Sequence, residues 1–128
     1  MATQAYVYDD SFIADGAIGQ YRVVIRGGAK DRVALGTANA NGIIGVTQHA
    51  TTASGDTVLV RRAGVTKLRV SSGNVTYGAD LEISDASGFA DRRAGAFVSG
   101  DGVIGQAEEA SGASGDIIEC WLNIRTVH

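Results

Sequence analysis

Proline is absent from these 128 residues, and cysteine, methionine and tryptophan occur once each. Without proline, every turn has to be made by Gly, Asn, Asp and Ser, which reach tight or left-handed backbone in other ways. The single Cys120 excludes an intrachain disulfide and a cysteine-based zinc site. Long apolar runs are missing too: no stretch approaches the roughly 20 residues that a membrane-spanning helix needs. The start, Met1-Ala-Thr-Gln-Ala, has no basic or apolar leader region, so no secretory signal is expected. The expectation is a soluble protein made in the cytoplasm, with no membrane partner. A basic surplus is also lacking. Net charge is −3, the opposite balance from a protein that grips phosphate backbones, so no nucleic acid partner is expected.

Small residues are abundant: nineteen Ala and eighteen Gly stand against five Leu and three Phe. Such side chains suit thin, tightly turned β structure, whose core is completed with help from neighbouring subunits. The strongest internal signal is a gapless recurrence sixty residues apart. Residues 41–60 match residues 101–120, with eight of twenty positions identical: Gly42/Gly102, Ile44/Ile104, Gly45/Gly105, Ala50/Ala110, Ala53/Ala113, Ser54/Ser114, Gly55/Gly115 and Asp56/Asp116. These are mostly small or turn residues. No nucleophile, base or ligand set recurs with them, so what is duplicated is a backbone shape rather than chemistry.

Short strands with turn punctuation fill the chain from Tyr21 on. The expected strands are 21–26, 33–37, 43–47, 57–61, 65–70, 75–83, 96–98, 103–107 and 117–125. Asn41-Gly42 and Asp101-Gly102 are hairpin signals, and each Ala-Ser-Gly-Asp (53–56, 113–116) is an Asx-type turn before a strand. Leu81 and Ile83 overlay Val23 and Ile25 at a shift of fifty-eight. No stretch of ten residues has helical spacing. The fold class is therefore all-β, a small β-barrel or β-sandwich of two tandem pseudo-repeats, about 15–61 and 73–121, in one domain over 15–128. Residues 1–14 hold Tyr6, Tyr8 and Phe12 among Asp9 and Asp10, without periodicity, and read as an extended N-terminal arm.

Candidate chemistry is sparse. Gly100-Asp-Gly-Val-Ile-Gly105 spells a dinucleotide fingerprint but sits at a hairpin tip before a strand, where a helix is needed. His49 has Glu109 as its counterpart and no G-x-S-x-G serine to serve. Asp85, Asp91 and Asp101 lie in turns and lack the Ca²⁺-loop pattern. No catalytic residue, cofactor or metal is expected. Arg61, Arg62, Lys67 and Arg69 form a basic run whose alternation describes a solvated face or a contact for an acidic partner. Alternation also places Ile118, Cys120 and Leu122 on an inner face. Trp121 falls on the polar side, as a loop cap or an interface anchor.

The segments Ile43-Ile-Gly-Val46, Ala53-Ser-Gly-Asp56, Val58-Leu-Val60 and Ala63-Gly-Val65, with the partial second pass Val103-Ile-Gly105, Ala113-Ser-Gly-Asp116 and Ile117-Ile-Glu-Cys-Trp121, resemble the capsid cement or head decoration proteins of tailed phages. The resemblance covers about residues 15–125. It implies a non-enzymatic viral structural protein, commonly a homotrimer, on the exterior of an icosahedral head. There it would bind major capsid protein between capsomers and stabilise the expanded shell. An arm that reaches the shell would give Tyr6, Tyr8 and Phe12 a task, beside Trp121. The alternative is a glycan- or receptor-binding module of a phage fibre or tail, in which Trp121 and Tyr77 would stack on sugar from one concave pocket.

Overall fold

The computed structural model describes residues 7–38, 40, 42–84, 87–93, 95 and 99–127. Nine strands follow one another: β1 (Tyr8–Ala14), β2 (Val23–Arg26), β3 (Arg32–Leu35), β4 (Ile43–Thr47), β5 (Thr57–Arg69), β6 (Asp80–Ile83), β7 (Ala90–Arg92), β8 (Gly102–Ala107) and β9 (Ile117–Thr126). No helix occurs among the described residues. The all-β expectation holds, and the architecture is a small barrel. Strands β1, β3, β2, β4 and β5 pair in that order, and β5 pairs back to β1, closing a five-stranded ring. Closure removes the open edges that would otherwise template aggregation. The second half of β5 then leads a further sheet, β5-β9-β8-β6-β7, and a parallel bridge from Val70 to Ala90 brings its far edge back to β5. One long strand thus serves both lobes.

Alternation fills each lobe. The first core gathers Ala14, Ile18, Val24, Val33, Val58 and Val60, with Phe12, Leu35 and Ile44 packed against it. The second cluster holds Leu68, Val70, Val75, Leu81, Ala90, Ile104, Ile118 and Cys120, and is continuous with side chains between the lobes, among them Val23, Ile43, Val46, Ile83 and Leu122. Each fully buried Val or Leu contributes roughly 1.5–3 kcal/mol, so even these modest side chains sustain a core.

The hydrogen bonds of the first lobe recur in the second. The Ile18 and Thr51 pair, joined through Thr51 Oγ1 and backbone, is matched by Val75 and Ser111. The Thr52 and Ala53 amides donate to Asp56 Oδ2, and those of Gly112 and Ala113 to Asp116 Oδ2. Gly45 and Gly105 each lie against the neighbouring strand so closely that a Cβ would stand 2.1 Å from Arg61 O and 1.9 Å from Trp121 O. This explains why glycine stands at both places in the recurrence.

Four expectations change. Residues 8–14, read as arm, are β1: its backbone lies antiparallel to β5 from Tyr8↔Ala63 to Ile13↔Thr57, because Phe12 and Ala14 have an apolar interior to enter. Strands 57–61 and 65–70 are one strand, since Gly64 at φ 94° turns the chain without breaking the ladder. Of 75–83 only Asp80–Ile83 is extended. Pairing also moves the overlay by one residue. Val24 faces Gly45 and Leu81 faces Gly105, so Leu81 stands in the place of Val24, at a shift of fifty-seven. A one-residue slip would have exchanged inner and outer faces. Asn41, Asp85 and the strand expected over 96–98 lie outside the described residues.

Candidate interaction surface

Directly opposed residues in a sheet share a face, as do alternate residues along a strand. On β5 the odd-numbered side chains, 57 to 69, point outward, while Val58, Val60, Thr66 and Leu68 point in. Tyr8 lies opposite Ala63 and Ile13 opposite Thr57 on one flank; Trp121 lies opposite Val65 and Ile117 opposite Arg69 on the other. Three of the exposed large apolar side chains, Ile13, Ile117 and Trp121, therefore share one outer face, each between 37% and 43% exposed. The register shifts between Tyr8 and Asp9, and alternation leaves Tyr8 on the other side with Asp10, its hydroxyl 3.5 Å from Asp10 Oδ2. Twelve residue steps along β5 make that face roughly 40 Å long.

Its polar members are largely matched among themselves. Arg61 donates from Nε and Nη2 to the Asp9 carboxylate at 2.8 and 3.2 Å and from Nη1 to Val65 O at 3.1 Å. Lys67 faces Glu119 across the β5–β9 ladder, and Arg69 donates to Gly115 O at 2.9 Å. Large apolar groups set in a face of paired charges describe a surface suited to flat, broad contact with another protein. The basic run of the sequence is divided here: Arg61, Lys67 and Arg69 face outward, whereas Arg62 sits on the other side, above the Phe12 ring.

Of the contact residues expected from the sequence, Trp121 lies on this face; Tyr8 stands on the other side of β1, with Asp10. Phe12 does not lie there either. It lies opposite Val58, half-buried against the first core, with the Arg62 guanidinium 5.6 Å from its ring centre. Tyr6 lies outside the described residues. Ile13 and Ile117 were missed. The alternation over 117–125 already put Ile117 beside Trp121, but Ile13 had no visible period while its segment was read as an arm.

A second feature is a half-open cavity of about 370 Å³ beside the β2–β3 hairpin, lined by Phe12 and Ile44 below and by Arg26, Lys30, Arg32 and Arg62 around the rim, with Asp31. Neither Trp121 nor Tyr77 lines it. Arg32 is held by Asp15, and Arg62 lies 3.7 Å from Asp10. The Arg32 hydrogen bond, then the Gly28 amide, hold the Asp15 carboxyl below the usual carboxylate range. Arg26 and Lys30 make no ion pair among the described residues.

The remaining candidate groups serve the backbone. His49 Nε2 accepts the Leu59 amide at 3.1 Å, and Glu109 Oε1 accepts the Glu119 amide at 2.7 Å, so two chemically unlike counterparts do one job. The amides of Thr52 and Ala53, then the Thr52 hydroxyl, lower the pKa of Asp56. Gly102 and Gly105, two glycines of the fingerprint, lie within β8. Burial, with a smaller effect from Glu108, pushes the Cys120 thiol up to about 12.

No family model matches the chain, and no curated protein sequence matches it. Among solved structures it is similar to the head fiber gp8.5 N base in bacteriophage phi29, with a TM-score of 0.68 over 92% of this chain and 95% of that one. Sequence identity is 15%, so the likeness speaks for the fold.

Proposed function

We propose that this chain is a bacteriophage structural protein that sits on the exterior of an icosahedral head, binds major capsid protein between capsomers, and stabilises the expanded shell without catalysis. The observation that carries the reading is the outer face of β1, β5 and β9, where Ile13, Ile117 and Trp121 stand exposed along one long strand ladder. A standard specific interface covers roughly 800 Å² per partner, and such a face offers the shape for it. The fold shared with a head fiber base, and the sequence resemblance to head decoration proteins, support the same setting. Assembly as a homotrimer would multiply a modest contact through avidity.

A fibre module is the second reading, favoured by the phi29 neighbour, whose description places it at the base of a head fiber. Co-sedimentation separates the two. The cement reading expects purified protein to pellet with expanded heads that lack it, and not with unexpanded ones. Binding to host-surface glycan with no affinity for either head form would sink the cement reading and favour the fibre one.

A further inference from the structure

The two lobes differ most where one grips the other. In the second lobe, the tip of the β6–β7 hairpin holds the start of β2. Ser87 O accepts from Arg22 Nη1 at 2.9 Å, Gly88 O accepts the Val23 amide at 2.9 Å, and Phe89 lies under the Arg22 guanidinium at 4.4 Å. Beneath that tip, Ile83 and Leu122 pack with Val23, Ile25 and Val46 of the first lobe. This is an apolar seat filled by the outer face of β2 and β4.

The first lobe has the same seat, open. Strand pairing equates Arg26 with Ile83, since they face Val33 and Ala90 respectively, and Arg62 with Leu122. The shift of fifty-seven makes Lys30-Asp31-Arg32 the counterpart of the gripping tip Ser87-Gly88-Phe89. Backbone geometry agrees: Asp31 takes φ 64° where Gly88 takes φ 72°. Where the filled seat is apolar, the open one is basic, and it forms the cavity described above, floored by Phe12 and Ile44.

The outer face that would fill it has its own counterpart. Val23, Ile25 and Val46 correspond to Asp80, Glu82 and Gln106 of β6 and β8. Asp91, opposite Glu82, joins them. Arg93 contacts Glu82 and Asp101, and Arg125 lies 3.8 Å from Asp80, so four carboxylates face two guanidiniums. Within the chain an apolar face fills an apolar seat. At its two ends an acidic face and a basic seat are left over.

We propose that a second copy of this chain docks its β6–β8 face onto the β2–β3 seat of the first, repeating between molecules the contact that joins the lobes. The contact is head-to-tail, so it propagates until a ring closes or a filament forms. The opposite charges of the two surfaces set register and exclude wrong pairings. This self-association stands whether or not a phage shell is the protein's target.

The test is light scattering on the full chain over a concentration series, with variants Arg26→Glu and Asp80→Lys, whose side chains lie outside both cores. The wild type should assemble. Each variant alone should associate about tenfold or more weakly, with a melting temperature unchanged at dilutions where every form is monomeric, and an equimolar mixture of the two should assemble again, because each reversed surface finds its complement. A wild type that stays monomeric at the highest attainable concentration would overturn the proposal. So would assembly that neither variant weakens, or a basic seat whose reversal abolishes binding to heparin or phosphate while self-association persists.

Discussion

Replacing Trp121 by alanine should separate attachment from folding. The indole is 43% exposed at the middle of the outer face, opposite Val65 and beside Gln106 of β8. Tryptophan presents up to about 250 Å², so roughly 110 Å² remains for a partner to cover. At about 25 cal/mol per Å², covering it is worth roughly 2.7 kcal/mol, near a hundredfold in dissociation constant. Ile117→Ala, on the same face of β9, should act in the same direction. The assay is co-sedimentation with expanded heads across a range of protein concentrations, after thermal melting has shown that the variant folds. Trp121→Ala that pellets with wild-type affinity would refute the argument that this face makes the contact.

Other outcomes follow from the fold. Gly105→Ala should cost about 3 kcal/mol, lowering the melting temperature by roughly 11 °C, because the new Cβ meets backbone; Gly16→Ala, in open space, should change little. His49→Glu should melt close to wild type, since Glu109 performs that task, whereas His49→Ala should lose about 1 kcal/mol in denaturant titration. Asp15 and Asp56 have folded pKa values below the ordinary aspartate range. Their stabilisation is thus complete above the unfolded value and is lost as pH falls through the lower folded one. Acid titration of Asp56→Asn should accordingly show a shallower loss of stability below about pH 4 than the wild type. Cys120→Val should stay within about 1.5 kcal/mol by calorimetry, as Val60 fills the corresponding place, and the native thiol should resist alkylation.

Strand alternation was readable wherever two residues in a row of side chains met one core. Ile118, Cys120 and Leu122 against Ile117, Glu119 and Trp121 is the plainest case, and it located both the second interior and half of the outer face. Turn chemistry at Ala53-Ser-Gly-Asp56 and its twin was readable for the same local reason. What escaped was set by distant partners. Nothing within residues 8–14 announces a strand; it becomes one because β5 offers an unpaired edge and the first core has room for Phe12 and Ala14. The basic seat was equally hidden, because Arg62 is far in sequence from Arg26 and Lys30 and joins them only where β5 passes the β2–β3 hairpin.

The placement of β5 has a mechanical meaning. Both β1 and β9 run antiparallel to it, with six residue pairs on each side, and they therefore run parallel to each other. Tension drawing the N-terminal end of β1 away from the C-terminal end of β9 pulls along both ladders lengthwise. Bonds loaded in shear share the force and break together, whereas bonds loaded at a hairpin tip would peel one after another. Stretched between its ends, this molecule should hold rigidly up to a threshold and then give way in a single event.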